Sequence, residues 1–394
     1  MQLLAGRRVY FVGIGGAGLS AYAFLARAWG AEVRGWDRRE TPYLRALEGV
    51  RVDLGGEPAP PEGWEAVVST AFAGSVPGRS RAEFLAELVS LAPGRSLVVS
   101  GAHGKTTTTA MIAFVLHELG RDPSWLVGGE VPQLGGNAGA GEGWLVVEGD
   151  ESDRTVEALR PEIAVVTNVE LDHHATFASA AEVEELFDRW LAGVPHAVRG
   201  WELEPVSFEL AVPGEHNRRN AATALAALEL AGVPRSAAEP VLARFAGAGR
   251  RFELLGEERG VTVIDDYAHH PSELAATLAA ARLRGCRVLV LFQPHLPSRT
   301  RHLWRELGWA LTAADAACVT DVYLAREEPL AGVTGKLVVE AASEARPGMP
   351  VGWAPTIEEG ARLVAAWARP GDLVLTVGAG DVSRAGPLIL EALW

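Results

Sequence analysis

Residues 101–107 read Gly101-Ala102-His103-Gly104-Lys105-Thr106-Thr107 and stand between an apolar run, Ser96 to Ser100, and a helical pattern, Thr106 to Leu119. Glycines let backbone N–H groups curl around an anion, and the start of a helix adds positive potential. Lys105 can reach the outer phosphates of such an anion, and the Thr106 hydroxyl can ligate magnesium. The segment reads as a phosphate loop, with two residues between its glycines where the common form has four. Its lysine stands out, because Lys105 and Lys336 are the only lysines among 36 basic residues.

A second glycine turn, Gly13-Ile14-Gly15-Gly16-Ala17-Gly18, matches the dinucleotide fingerprint, and Asp37 ends the next strand at the right distance to meet a ribose or base. It supports a pyrophosphate on a helix N-terminus and leaves NAD, FAD and a UDP-sugar open. Acidic residues follow the phosphate loop at strand ends. Glu148-Gly149-Asp150-Glu151-Ser152-Asp153 offers carboxylates for a magnesium ion, or else a solvated acidic turn. The next strand ends in Asn168-Val169-Glu170-Leu171-Asp172-His173-His174, whose histidines suit a ligand, a base or a polar loop cap.

The elements that must hold these groups alternate between strand-like runs and helical patterns, so the fold class is α/β. Strands are expected at Arg8 to Val12, Glu32 to Trp36, Ala66 to Ser69, Ser96 to Ser100, Trp144 to Val147 and Ile163 to Thr167. Further strands are expected at Val261 to Ile264, Val288 to Phe292, Ala317 to Thr320 and Leu373 to Thr376. Helices are expected at Ala17 to Trp29, Ala181 to Leu191 and Arg218 to Leu230. Pro93-Gly94 and the hinge-like Gly247-Ala248-Gly249 divide the chain into three expected domains. These are an N-terminal Rossmann-like domain over 1–93, a central P-loop-type domain with a parallel or mixed sheet over 94–246, and a C-terminal Rossmann-like α/β domain over 247–394. A length of 394 residues, 48 % hydrophobic, supports that many cores. The net charge of −14 argues against nonspecific binding to nucleic acid or an anionic membrane. Cys286 and Cys318 lack metal-ligand spacing and read as reduced core thiols, which suits a cytoplasmic protein, and no apolar stretch has membrane-spanning length.

The order of these motifs resembles that of the Mur ligases: glycine turn, Gly-x-x-Gly-Lys-Thr-Thr, acidic strand end, Thr-Asn-x-x-x-Asp-His. Later blocks extend the likeness from about residue 8 to residue 382. They are Gly214 to Asn220, Arg250-Arg251-Phe252-Glu253, Asp265 to Pro271, Phe292-Gln293-Pro294-His295 through Arg301, and Gly371 to Asp381. Glu151-Ser152-Asp153 resembles the member that adds the first amino acid more than the member that recycles murein tripeptide. The resemblance implies UDP-N-acetylmuramate, L-alanine and ATP as partners, magnesium as cofactor, a role in peptidoglycan synthesis, and a monomer or homodimer.

It also implies roles for residues. Lys105, Glu151, His173 and Arg251 would be catalytic, with Thr106, Glu151 and His173 at the metal. ATP would meet Gly101, His103, Gly104, Lys105, Thr106, Thr107, His216, Asn220, Arg251 and Asp266. The UDP-sugar would meet Gly13, Gly15, Gly16, Ala17, Gly18, Asp37, Ser69, Thr70 and Asn137. Tyr267, His269 and Arg299 would receive L-alanine. Several members hold a second magnesium with a carbamylated lysine, which this chain lacks there because Lys105 is its only lysine before Lys336.

The chain departs from the family pattern at His174-Ala175, where a further Asp is usual, in a short segment between Phe177 and His216, and at Leu296-Pro297, where Arg and an aromatic residue are usual. A weakened relative that only binds a UDP-sugar therefore stays open. A folylpolyglutamate-type ligase should lack the first glycine turn, and a nicotinamide oxidoreductase leaves Lys105 unexplained.

Overall fold

The computed structural model describes residues 2–92, 95–172, 176–325 and 327–394, so Pro93-Gly94, His173 to Ala175 and Arg326 lie outside the described residues. The chain forms two compact units. One comprises Met1–Leu171, Ser179–Ala211 and Asn217–Ala248, and the other Asp172–Ala178, Val212–His216 and Gly249–Trp394.

The first unit holds two sheets. In the first sheet β1 (Arg8–Val12), β2 (Glu32–Asp37), β3 (Arg51–Leu54), β4 (Glu65–Val68) and β5 (Arg79–Ser80) run parallel in the order β3-β2-β1-β4-β5. Val9 to Val12 and Ala66 to Val68 are buried, which explains their unbroken apolar runs. Helices α1 (Ala17–Ala28) and α2 (Arg81–Ser90) cover the sheet, and Phe84 of α2 meets Phe11 edge-on at 5.4 Å. Val12 aligns with both Trp36 and Val68, so the turns that follow β1, β2 and β4 emerge side by side.

The second sheet comprises β6 (Ser96–Ser100), β7 (Ser124–Leu126), β8 (Ala138–Gly139), β9 (Leu145–Glu148), β10 (Ile163–Val166) and β11 (His196–Arg199), in the order β11-β10-β6-β9-β7-β8. Only the β7–β8 pair is antiparallel. Ser100 aligns with Val166 and Val99 with Glu148, which brings the phosphate loop, the acidic turn and Thr167 to one edge. Helix α3 (Lys105–Glu118) is buried from Thr107 to Leu116, and α4 (Ala180–Ala192), α5 (Glu215–Leu230) and α6 (Arg235–Leu242) complete the layer.

The second unit holds β12 (Glu253–Glu258), β13 (Val261–Asp266), β14 (Val288–Phe292), β15 (Ala316–Val319), β16 (Val351–Trp353) and β17 (Leu373–Val377), ordered β12-β13-β17-β14-β15-β16. Only β12 runs antiparallel to its neighbour. Helices α7 (Pro271–Arg282), α8 (Pro297–Leu311) and α9 (Gly335–Ala345) share one apolar core, through Leu278, Leu311 and Val338. Helices α10 (Ile357–Trp367) and α11 (Ala385–Leu393) share another, through Val364 and Ile389. Asp266, Val377 and Phe292 align, so the carboxyl ends of β13, β17 and β14 are level.

The expected strands at Arg8 to Val12, Ser96 to Ser100 and Val288 to Phe292 coincide with β1, β6 and β14. Helix α3 begins at Lys105, one residue earlier than expected. Both cysteines are free, and no helix among the described residues is long and apolar enough to cross a membrane.

Candidate active site

The phosphate loop takes its shape from two left-handed glycines and two polar clamps. Gly101 has φ +123° and Gly104 φ +80°, and a Cβ on Gly104 would strike Asn220 of α5. Asn168 accepts from His103 N at 2.9 Å and donates to His103 O at 2.8 Å, while Thr167 Oγ1 donates to the same carbonyl at 2.6 Å. Lys105 Nζ donates to Gly101 O (2.6 Å), Ala102 O (3.2 Å) and Glu151 Oε1 (2.9 Å). Thr106 Oγ1 donates to Glu148 Oε2 at 3.1 Å.

Burial opposes the Lys105 charge, but Glu151 and Asp150 outweigh it and hold the ammonium above its ordinary pKa. Burial likewise pushes Glu151 up, to about 7, against the pull of Lys105. Asp150 goes the other way, down to about 2, because Arg81 and Lys105 overcome its burial. The Thr106–Glu148 pair beside a lysine-bearing loop offers hard oxygen donors of the kind that suit a divalent cation next to a phosphate chain, and Glu151, held by Lys105, is the other carboxylate at this loop. His173, the remaining expected metal ligand, lies outside the described residues.

The first glycine turn is built from different contacts. Asp37, buried at the end of β2, accepts from Gly15 N at 2.8 Å and Arg38 N at 2.7 Å, so its carboxylate shapes the turn. A Cβ on Gly15 would come within 2.9 Å of that carboxylate, and one on Gly13 within 2.5 Å of Ser69 Oγ. Asn137, 2 % exposed, donates to Ala17 O at 2.9 Å and so grips the first turn of α1. Gly13 to Gly18, Asp37, Ser69 and Asn137 therefore converge on one place, and Thr70 follows Ser69 in an exposed turn.

In the second unit, Arg250 donates from Nε to Asp265 (2.8 Å) and from its terminal nitrogens to Gly378 O (2.6 Å) and Gly380 O (3.2 Å). Arg250 and Phe252 both hold left-handed backbone, at φ +58° and +56°. Asp266 accepts from Phe252 N, Ala268 N and Thr277 Oγ1, and burial holds its pKa above the ordinary value. Between these anchors Arg251 lies over the Tyr267 ring at 5.0 Å, with Glu273 at 3.8 Å. Tyr267, His269, His295 and Tyr323 then form a row of ring contacts at 5.5 to 5.7 Å. Burial holds both His216 and His269 down, to about 4. The Arg299 fork expected to take a carboxylate ligand is filled by Asp172, at 2.9 and 3.0 Å, and both side chains are 3 % exposed.

Comparison with known proteins fits this arrangement. Residues 99–198 match the Mur ligase middle domain and residues 250–380 the Mur ligase, glutamate ligase domain. The UDP-N-acetylmuramate–L-alanine ligase of Streptomyces coelicolor is 41 % identical, covering 98 % of this chain and 97 % of its own. That of Rubrobacter xylanophilus is 40 % identical over 98 % of this chain and 100 % of its own. The chain belongs to the Mur ligases. The solved UDP-N-acetylmuramate-alanine ligase of Thermotoga maritima superposes on this Mur ligase with a TM-score of 0.79 at 26 % identity, covering 98 % of each chain. The alignment with the Streptomyces relative runs over 452 positions against 394 residues here, so this Mur ligase has a shorter chain than that relative.

Within this Mur ligase the first unit brings Gly101, His103, Gly104, Lys105, Thr106 and Asn220 together, with Thr107 buried behind them. His216, Arg251, Asp266, Tyr267, His269 and Arg299 belong to the second unit. The residue lists implied by the resemblance omit Glu148, Asn168, Arg250 and Arg81. Glu148 ends the apolar run of β9, a position that marks it as facing the loop. Nothing local marks Arg81, whose partners are distant in sequence, and Arg250 lies in the Arg250-to-Glu253 block with no role of its own assigned there.

Proposed function

We propose that this Mur ligase uses ATP to join the lactyl carboxylate of UDP-N-acetylmuramate to the amine of L-alanine, for peptidoglycan synthesis. The observation that carries the reading is Lys105, poised in the phosphate loop between two loop carbonyls and Glu151. A carboxylate oxygen attacks the γ-phosphorus and ADP leaves, giving an acyl phosphate. The amine then attacks the acyl carbon, phosphate departs and the ammonium loses a proton. Phosphoryl transfer of this kind needs charge stabilisation and in-line positioning more than a covalent helper. Loop N–H groups and Lys105 take the phosphate charge as Glu151 gives up the ammonium. Thr106, Glu148 and Glu151 would hold magnesium, which neutralises charge developing on the phosphate oxygens.

The turn of Gly13 to Gly18, with Ser69, Thr70 and Asn137, takes the UDP-sugar, and Asp37 keeps that turn open. Asn220 serves ATP by packing against Gly104, and His216 and Asp266 serve the adenosine portion, Asp266 by holding the Arg250–Phe252 backbone. Arg251, braced on Tyr267, contacts phosphate. Tyr267 and His269 face the amino acid, and Arg299 supports them through His295, whose Nδ1 lies 3.0 Å from its Nη1. In this scheme the divisions 1–93, 94–246 and 247–394 serve sugar nucleotide, ATP and amino acid respectively. The test is release of ADP and phosphate from ATP, magnesium and UDP-N-acetylmuramate with L-alanine, glycine or L-serine, run beside Lys105→Ala. Sugar-dependent ADP formation that is greatest with L-alanine and lost in Lys105→Ala is expected. UDP-sugar binding with no ADP formed would leave only a binding protein.

A further inference from the structure

Of the run Glu151-Ser152-Asp153, the mechanism above uses only Glu151. Asp153 has a different task, shared with Asp150: both accept from Arg81. Arg81 Nη2 lies 2.6 Å from Asp150 Oδ2 and 3.1 Å from Asp153 Oδ2, and its Nε lies 3.3 Å from the same Asp153 oxygen. Arg81 is the first residue of α2, set there by the Ser80–Glu83 capping box. Its Nη1 stands 3.7 Å from where a Cβ on Gly18 would lie, against the first turn of α1. That same turn is gripped by Asn137, the residue just before β8 of the second sheet.

One guanidinium thus spans the glycine turn of the first sheet and the acidic turn of the second. We propose that Arg81 is a positioning residue for the ligase reaction, fixing the sugar-nucleotide turn against the Lys105–Glu151 pair so that the lactyl carboxylate meets the terminal phosphate in line. The inference rests on the function proposed above. Geometry is the reason for the demand: a displacement of about 1 Å from the attack position costs on the order of 100-fold in rate. Charge is the second reason. Four carboxylates lie between residues 148 and 153, and without Arg81 the Asp150 carboxylate competes with phosphate for Lys105. A lysine at 81 keeps the charge but not the planar fork that reaches both aspartates.

The test compares Arg81→Ala, Arg81→Lys and Asp153→Asn in the full chain. In Arg81→Ala, kcat for ADP formation should fall on the order of 100-fold. Kd values for UDP alone and for ADP alone, by calorimetry, should stay within about threefold of the parent. Arg81→Lys should recover roughly tenfold of the loss, and Asp153→Asn should lose about tenfold. Adding Asp153→Asn to Arg81→Ala should cost less than Asp153→Asn costs alone, because the Arg81 contact is already gone and only the Thr155 bonds to Asp153 remain to be disturbed. A kcat within about twofold of the parent in Arg81→Ala overturns the proposal. So does weakening of UDP binding that matches the loss of kcat, which would make Arg81 a direct ligand. If Arg81→Ala does not fold, Asp153→Asn decides by the same kcat and Kd readings. A parent chain that forms no ADP defeats the proposed function itself, a result distinct from any difference among the variants.

Discussion

In the first unit the candidate site is a row of opposite charges, Arg81, Asp150, Lys105 and Glu151, arranged beside the glycine loop that leads into α3. In the second unit charge is spent internally. Arg250 is taken up by Asp265 and two carbonyls, Arg299 by Asp172, and burial keeps His216 and His269 neutral at neutral pH. One region is prepared to stabilise a charge that arrives with a ligand, the other to hold the shape and protonation of a row of rings. Substitutions should therefore affect binding chemistry in the first region and folding in the second.

The sharpest contrast is expected at Arg299. Removing it takes the guanidinium fork away from a buried carboxylate, Asp172, a loss of about 3–5 kcal/mol in stability. Denaturant unfolding of Arg299→Ala should show this, and Arg299→Met with Asp172→Leu should restore most of it. A cost under about 1 kcal/mol would put Arg299 among surface pairs and break the comparison. Next is Gly104→Ala, which strains a left-handed residue and presses on Asn220. We expect kcat/KM for ATP to drop roughly 10- to 100-fold, with the KM for the sugar nucleotide unchanged. Gly120→Ala is the control, since it shares the left-handed backbone, at φ +66°, with open space around it.

The smallest effect separates the two regions by the sign of their response to acid. His216 and His269 have folded pKa values near 4, below the ordinary 6.5, so the unfolded chain takes up protons first. Their contribution to stability is present above pH 6.5 and is lost as pH falls towards 4, on the order of 1–3 kcal/mol each. Glu151, raised to about 7 from 4.5, works oppositely, because the folded chain takes up its proton first as pH falls through 7. Denaturant midpoints at pH 7.5 and 4.5 should therefore fall less in His269→Gln than in the parent, and more in Glu151→Gln.

Where chemistry needs consecutive residues, it was legible. The loop from Gly101 to Thr107 and the turn from Gly13 to Gly18 each lie between a strand and a helix, where backbone N–H groups must converge. The choice between carboxylates was not legible. Thr106 meets Glu148 and Lys105 meets Glu151, an allocation set by the alignment of Val99 with Glu148 rather than by spacing alone. Asp37, expected to meet a ribose or base, also holds Gly15 N, and the Arg299 fork holds Asp172 from 127 residues away, contacts that the spacing of motifs does not reveal. Short or polar edge strands such as β3, β8 and β12 carry too little apolar pattern to be seen without their neighbours.

The scarcity of lysine gives the chain two points of attack for a lysine-specific endoprotease, far apart in sequence. Lys105 opens α3 in the first unit, and Lys336, stacked over Trp353 at 4.1 Å, lies in α9 of the second. Cutting within a helix requires that helix to open locally, so each peptide bond should be severed at a pace set by its own surroundings. Two fragment patterns on one gel would then time the loosening of the two units independently, without any label.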